Sequence, residues 1–255
     1  MTDGGGAERP SRGAGLDAGR VRAVLLDLGG VVLDLGEARG LPWGELERRG
    51  REALIELIAE SGGRASEDDL DRLLFTPWRR EYRRRYRRGR EARWRPHVER
   101  LGRRTGSAAP PERLLAAWAS AYLKGLRPLS GAQEALARLI SADLPLALVS
   151  NVPLPGRFFE RALEEQGLAA FFGSFHFSYD GAARKPAPGL LQAALEALDA
   201  APDEAVLVGD RRSTDVAAAR AAGVAAVWVR SADRDGPEPD AVIGSIVELP
   251  ELLGV

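Results

Sequence analysis

The stretch VRAVLLDLGGVV, residues 21–32, decides the fold class of this chain. Its first half consists mainly of aliphatic and β-branched residues and ends at Asp27, and two glycines follow at positions 29 and 30. A short apolar run of this kind is typical of a parallel strand that is buried on both faces of a sheet. The pattern therefore places the Asp27 carboxylate at the carboxyl end of a buried strand.

Downstream of residue 129 the chain alternates between helical and strand patterns, which is typical of a parallel sheet covered by helices on both faces. The fold class that we predict is α/β: a doubly wound, Rossmann-like parallel sheet core with an inserted all-helical cap domain. The predicted helices are 132–140, 158–166, 190–198 and 216–222, and the predicted strands are 146–149, 175–177, 206–208 and 224–229.

The domain boundaries follow from changes in composition. Residues 1–20 are rich in glycine and polar residues and predict a disordered tail. Residues 21–36 and 129–255 form the predicted core, and residues 37–128, with helical spacing and no strand pattern, form the predicted cap. Within the cap, Thr76 followed by Pro77 predicts the start of a helix, because proline is favoured at the first helical position.

Composition limits the function. The 255 residues include no cysteine, which excludes disulfides, thiolate nucleophiles and cysteine-bound metals. No apolar run is long enough to cross a bilayer and the first twenty residues have no apolar core, so we expect a cytoplasmic protein without a membrane partner. Residues 79–104 carry thirteen arginines and three glutamates. A solvated helical face explains these arginines better than a nucleic-acid site, and nucleic acid is not an expected partner.

Polar side chains follow the predicted strands, where a doubly wound sheet binds its ligands. Acids brought together there repel one another unless a cation joins them, and an all-oxygen set suits Mg²⁺, which also binds phosphate oxygens. A hydroxyl, an amine and main-chain N–H groups after Asp27 can bind the same phosphate. The candidate residues at this edge of the sheet are Asp27, Gly29, Gly30, Ser150, Asn151, Lys185, Asp210 and Asp215. Lys185 is one of only two lysines among 36 basic residues, which favours a specific role.

Four stretches in this order resemble the motifs of the haloacid dehalogenase (HAD) superfamily of phosphohydrolases. They are VLLDLGGVV, LALVSN, ARKPAPG and VLVGDRRSTD, and the predicted cap lies where this superfamily has its C1 cap. The resemblance is to the C1-capped subgroup that contains relatives of phosphoglycolate phosphatase and β-phosphoglucomutase. It implies that the motif I aspartate, Asp27, attacks phosphorus and forms an aspartyl-phosphate.

The resemblance also assigns the remaining roles. Phosphate binding is expected of Ser150, Asn151, Lys185, Gly29 and Gly30. The Mg²⁺ ligands that it implies are Asp27, the main-chain carbonyl of Gly29, Asp210 and Asp215, and Asp215 has the alternative role of orienting Lys185.

Gly29 is a departure from the motif. The superfamily usually has a second aspartate here, which protonates the leaving group and activates the hydrolytic water. Glycine leaves the metal site intact and removes this proton transfer, which typically contributes about 10²- to 10⁴-fold in rate. A good leaving group, as in a sugar 1-phosphate or an acyl phosphate, depends least on that acid.

The function that we predict is Mg²⁺-dependent hydrolysis of a small phosphorylated metabolite, the only partner expected, through an aspartyl-phosphate on Asp27. Two alternatives stay open. Gly29 and the basic cap fit a catalytically weak phosphate-binding or regulatory protein, and 2-haloacid dehalogenation uses the same kind of nucleophile without a leaving-group acid. The acids of GDRRSTD argue against the dehalogenase, which works without a metal. The sequence leaves the substrate and the oligomeric state open.

Overall fold

The computed structural model describes residues 11–12, 16–34, 43–181 and 183–255, which are built around a seven-stranded sheet. The order across the sheet is β1-β9-β8-β7-β2-β5-β6, and β1 alone is antiparallel to its neighbour. The strands are β1 Ser11–Arg12, β2 Ala23–Leu26, β3 Leu33–Asp34, β4 Arg127–Pro128, β5 Leu146–Ser150, β6 Phe172–Phe177, β7 Ala205–Gly209, β8 Ala225–Val229 and β9 Ala241–Ile243. Six parallel strands confirm the predicted α/β fold.

Helices cover this sheet and fill the long connection between β3 and β4. They are α1 Trp43–Glu60, α2 Glu67–Leu70, α3 Thr76–Tyr86, α4 Arg95–Thr105, α5 Pro111–Leu123, α6 Ala132–Ser141, α7 Gly156–Glu165, α8 Gly189–Ala197, α9 Ala217–Ala222 and α10 Leu249–Leu253. The helices predicted after residue 129 correspond to α6, α7, α8 and α9. In the described residues, no helix is both long enough and apolar enough to cross a membrane.

The central strands are buried on both faces because alternate side chains point to opposite sides of the sheet. Along β2, Val24 and Leu26 belong to one hydrophobic cluster, whereas Ala23 and Leu25 belong to the other. Helices α8 and α9 cover the second cluster, and α6, α7 and α10 contribute to the first. This double burial explains why β2 has an apolar run instead of an alternating pattern.

Strand β2 lies at the point where the strand order reverses. It pairs in parallel with β5 on one side and with β7 on the other. From β5 the chain continues outward to β6, and from β7 it continues outward to β8 and β9. Ligands of doubly wound sheets bind beyond the carboxyl ends of the strands at such a point. The residues that follow β2, β5 and β7 are therefore placed to form a site together.

The connection between β3 and β4 leaves and rejoins the core at adjacent positions. These two strands pair in an antiparallel manner, with Leu33 opposite Pro128 and Asp34 opposite Arg127. Among the described residues between them, every regular element is helical. The predicted boundary at residues 36 and 37 lies outside the described residues.

The α3 segment begins at Thr76 as predicted, but Thr76 does not cap a new helix. Ser66 caps the helix ten residues earlier through a capping box with Asp69, and the helical backbone continues through a π-helical turn, Asp71–Phe75, into α3. Pro77 lacks an N–H group, so a continuing helix loses the hydrogen bond to the carbonyl four residues earlier, at Leu73. Arg100 Nε donates to that oxygen instead, at 3.2 Å. This bond from α4 gives the Leu73 carbonyl a donor that the proline cannot supply.

Part of the predicted disordered tail has defined structure. Ser11–Arg12 pairs with β9, and Asp17 accepts a hydrogen bond from the Gly19 N–H at the start of a short 3₁₀ turn, Ala18–Arg20. Leu16 is buried in the core. Residues 1–10 and 13–15 of the predicted tail lie outside the described residues.

Candidate active site

Asp27 follows β2 directly, and a tight turn brings the chain back beside it. The Asp27 N–H donates to the carbonyl of Val208 at 2.9 Å, which ties the end of β2 to β7. Gly30 has φ +72°, and a side-chain Cβ at this position would overlap the Asp210 carboxylate. Only glycine combines that backbone conformation with so close an approach. The glycine thus allows Asp27 and Asp210 to face one cavity.

Three carboxylates converge beyond the ends of β2 and β7. Single oxygens of Asp27, Asp210 and Asp215 lie within 4.8 Å of one another. Asp215 reaches this position from a π-helical turn, Arg212–Val216, and its Oδ2 accepts a hydrogen bond from the Arg211 N–H at 2.9 Å. The structure therefore brings together the three acids predicted as metal ligands.

Lys185 lies between two of these acids and is only 1% exposed. Its Nζ donates to Asp27 Oδ1 at 2.9 Å, to Asp215 Oδ1 at 2.7 Å and to the Val149 carbonyl at 2.7 Å. Burial alone lowers the pKa of this amine, but the charges of Asp215 and Asp27 and their hydrogen bonds raise its pKa above the ordinary value. Lys185 is therefore a charged lysine whose three N–H groups all have acceptors.

Three acids surround the single amine of Lys185, and two of them, Asp210 and Asp215, have raised pKa values. Burial, together with the negative charges of Asp27 and Asp215, raises the pKa of Asp210 to about 7. Burial also raises the pKa of Asp215, against the opposing effect of Lys185. Buried carboxylates with excess negative charge favour a bound cation, and hard oxygen ligands suit Mg²⁺. The residues present therefore fit the ion implied by the sequence.

Asn151 holds the backbone of Lys185. Its Nδ2 donates to the Lys185 carbonyl at 2.8 Å, and its Oδ1 accepts from the Lys185 N–H at 2.9 Å. The amide is thus engaged within the chain, although the residue lines the same cavity. Ser150 is buried at the end of β5, and its hydroxyl has no hydrogen-bond partner among the described residues. Ser150 is therefore the better placed of the two to bind a ligand.

These residues surround one cavity of about 480 Å³. Its lining residues are Asp27, Gly29, Gly30, Asp34, Ser150, Asn151, Lys185, Asp210, Arg211, Thr214 and Asp215. All eight predicted site residues are among them. The Gly30 N–H donates to the Leu33 carbonyl at 2.9 Å, so this amide is engaged within the turn.

Three cavity residues were missed by the sequence analysis: Asp34, Arg211 and Thr214. Arg211 and Thr214 lie between the two predicted acids of GDRRSTD, which was the available signal. Nothing in the sequence around Asp34 distinguishes it from a surface acid at a strand end.

Asn151→Ala is expected to lower the free energy of unfolding by about 1–3 kcal/mol, because two hydrogen bonds to the Lys185 backbone are lost. Activity is expected to fall as well, since the Lys185 loop loses its anchor. Gln166→Ala is a matched control: its Nε2 donates to the Leu126 carbonyl at 2.8 Å, outside the cavity. Urea denaturation and phosphate-release assays measure both effects. Equal activity losses in the two variants would contradict the anchoring role.

Comparison with known proteins identifies the family. A family model described as haloacid dehalogenase-like hydrolase matches residues 21–223. The chain belongs to this family. The match confirms the predicted superfamily.

Curated relatives match over about half of their own length. The chain is 40% identical over 122 residues to the phosphoserine phosphatase of Thermus thermophilus, covering 46% of this chain and 48% of the relative. It is 33% identical over 127 residues to the phosphoglycolate phosphatase of Escherichia coli, covering 48% of this chain and 49% of the relative.

Solved structures resemble nearly the whole chain at lower identity. A HAD phosphatase from Thermococcus onnurineus has a TM-score of 0.58 at 23% identity and covers 92% of this chain and 98% of its own. A 2-haloacid dehalogenase from Pseudomonas syringae pv. Tomato DC3000 has a TM-score of 0.59 at 22% identity, with coverage of 91% and 98%. At these identities the likeness shows the fold and does not separate phosphatase from dehalogenase.

Proposed function

We propose that this chain is a Mg²⁺-dependent phosphomonoester hydrolase that acts on a small phosphorylated metabolite. The observation that carries the proposal is the set of three carboxylates around a buried lysine, in a cavity at the carboxyl ends of the central strands. The relatives named phosphatases support the same chemistry. A volume of about 480 Å³ suits a small molecule.

Asp27 is the proposed nucleophile. Lys185 holds its Oδ1, so Oδ2 is the oxygen that attacks phosphorus. The new Oδ2–P bond forms as the P–O bond to the substrate oxygen breaks, which gives an aspartyl-phosphate and an alkoxide that takes a proton from solvent water to become the free alcohol. Water then attacks the same phosphorus, releases inorganic phosphate and restores the Asp27 carboxylate.

The other residues bind and orient the phosphoryl group. Ser150 donates its hydroxyl to a phosphoryl oxygen, and Lys185 supplies positive charge next to the reacting atoms. Asp27, Asp210 and the Gly29 carbonyl would hold Mg²⁺, with Asp215 completing the acidic site and orienting Lys185 through its Oδ1. The bound ion supplies charge neutralisation and Lewis-acid activation of the phosphoryl group. Asn151 acts through the Lys185 backbone and is a positioning residue.

We assign residues 37–128 to a cap of the C1 type that shields the intermediate from water, with residues 21–36 and 129–255 as the core. Contacts between the helical segment and the core support this division. Trp94 Nε1 donates to the Pro153 carbonyl at 2.8 Å, and Glu91 pairs with Arg184 at 3.0 Å. The two core partners flank the site in sequence, two residues after Asn151 and immediately before Lys185. Cap position is thereby coupled to the loops that form the cavity.

Phosphate release from a substrate panel tests the proposed function. The panel contains phosphoserine, phosphoglycolate, a sugar 1-phosphate and an acyl phosphate, each with Mg²⁺ and with a chelator. We expect turnover of at least one compound that the chelator abolishes. Chelator-insensitive halide release from a 2-haloacid would instead show a dehalogenase. Salt-sensitive binding of DNA or RNA without any turnover would show a binding protein.

A further inference from the structure

Among the described residues, two cationic side chains line the active-site cavity, and they differ in how many of their N–H groups lack an acceptor. Lys185 donates all three of its N–H groups to the chain. Arg211 donates its Nε to Asp233 Oδ2 at 3.3 Å, and its two terminal amino groups have no partner in the described part of the chain. Its side chain is 60% exposed at the edge of the cavity. Arg211 thus offers a free pair of donors to a ligand in this cavity.

The surroundings of Arg211 hold it in place. Its main-chain N–H donates to Asp215 Oδ2 at 2.9 Å, which fixes the backbone beside the acidic site. Asp233, its side-chain partner, also accepts from the Ser213 hydroxyl at 2.9 Å, and the Asp233 N–H donates to Ser231 Oγ at 3.1 Å. A carboxylate held this way anchors the Nε side of the guanidinium. An anchored guanidinium loses less conformational entropy on binding than a free one.

The Asp210 backbone, one residue earlier, is fixed as well. Its carbonyl accepts from Trp228 Nε1 at 2.9 Å and from the Ser231 hydroxyl at 2.5 Å. A metal ligand and the free guanidinium fork therefore come from adjacent residues of one rigid segment. Both residues line the same cavity, so a ligand bound there can contact both.

The charge of the cavity lining indicates which ligand the two terminal amino groups of Arg211 bind. The described lining has four carboxyl groups and two cations, so one divalent ion brings its formal charge to zero. The phosphoryl group that reacts at Asp27 then adds its own negative charge to the cavity. Because Arg211 is already counted in that balance, a further anion meets no excess positive charge, and a carboxylate with one negative charge is less unfavourable there than a second phosphate, which carries about −1.5 to −2. Paired N–H donors also match the two oxygens of a carboxylate.

We infer that Arg211 binds a carboxylate that the substrate carries in addition to its phosphoryl group. Arg211 is thereby a specificity-determining residue, and the substrate class is small phosphomonoesters of hydroxy acids or hydroxyamino acids. This inference rests on the proposed function and narrows its substrate.

Two compounds of similar size separate the carboxylate from the phosphoryl group: phosphoglycolate, which has a carboxylate, and ethyl phosphate, which does not. At saturating Mg²⁺, Arg211→Gln is expected to lower kcat/KM for phosphoglycolate by roughly 10- to 100-fold through KM, as for a lost charged hydrogen bond. The kcat/KM for ethyl phosphate is expected to change by less than about twofold, since this compound makes no such bond. The kcat/KM of Arg211→Lys for phosphoglycolate should lie between those of wild type and Arg211→Gln, because lysine keeps the charge but lacks the paired N–H donors of a guanidinium. Arg234→Gln is the control, since Arg234 is exposed on the adjacent loop outside the cavity.

Calorimetric binding to Asp27→Asn protein with Mg²⁺ gives a readout that does not depend on turnover. We expect this protein to prefer phosphoglycolate over ethyl phosphate and expect Arg211→Gln, added to it, to remove the preference. Equal losses of affinity for both compounds, or an unchanged preference for phosphoglycolate, would overturn the role of Arg211. A preference that Arg211→Gln removes, in a wild-type protein that hydrolyses neither these two compounds nor any compound of the substrate panel, would support the carboxylate site and count against the proposed function.

Discussion

Asp27→Asn is expected to lower phosphate release by at least about 10⁴-fold while leaving the fold intact, because an amide cannot form the aspartyl-phosphate. The substitution keeps the size and the Oδ1 acceptor that Lys185 uses. Kinetics at saturating Mg²⁺ and far-ultraviolet circular dichroism measure activity and fold on the same preparation.

Asp203→Asn is the matched control for this loss. Asp203 is an exposed acid that pairs with Arg20 just before β7, at the opposite end of that strand from Asp210. We expect its variant to retain full activity. Substantial turnover by Asp27→Asn would exclude Asp27 as the nucleophile and leave the cavity with another role.

Lys185→Met is expected to have the largest effect on stability. Removing the amine leaves the buried Asp27 and Asp215, and the half-buried Asp210 beside them, without the positive charge that pairs with Asp27 and Asp215. Breaking a buried ion pair from one side typically costs roughly 3–5 kcal/mol, and we expect a loss of that size in the free energy of unfolding above pH 7. Activity is expected to be lost as well.

The pH dependence of this loss has a definite sign. The pKa of Asp210 is already raised to about 7, and removal of Lys185, which lowers the pKa values of Asp210 and Asp215, raises both further. When the pKa of a carboxyl is higher in the folded state than in the unfolded state, the folded protein loses stability as pH rises through the folded-state pKa. The destabilisation by Lys185→Met should therefore shrink as pH falls below 7. Urea denaturation on both sides of pH 7 measures it.

Lys124→Met provides the control, since Lys124 is the only other lysine and is exposed. It should change stability little at either pH. A Lys185→Met variant as stable as Lys124→Met above pH 7 would contradict the electrostatic account of the acidic site.

The sequence predicted which residues gather at one edge of the sheet, because strand ends are local features. Asp27, Ser150 and Asp210 each follow a buried apolar run, and parallel strands align their carboxyl ends in one place. The scarcity of lysine marked Lys185, which proved to be fully buried between two acids. These features depend on short stretches of chain and on one rule of sheet topology.

Other features depend on contacts between distant residues and were not predictable in this way. Asn151 bonds to a backbone 34 residues away, so its amide was assigned to phosphate instead of to Lys185. The helix through Pro77 depends on Arg100, a side chain of the following helix. Strand β9 has three residues and gives too short a pattern to recognise. Arg211 became a candidate only when the cavity lining was known.

Mass spectrometry of protein quenched in acid during turnover tests the central claim most directly. With Mg²⁺ and a hydrolysed phosphomonoester, we predict a mass increase of one phosphoryl group on the peptide that contains Asp27, and none on that peptide from Asp27→Asn protein. Turnover without any phosphorylated peptide, or a phosphoryl group on a different residue, would contradict the account.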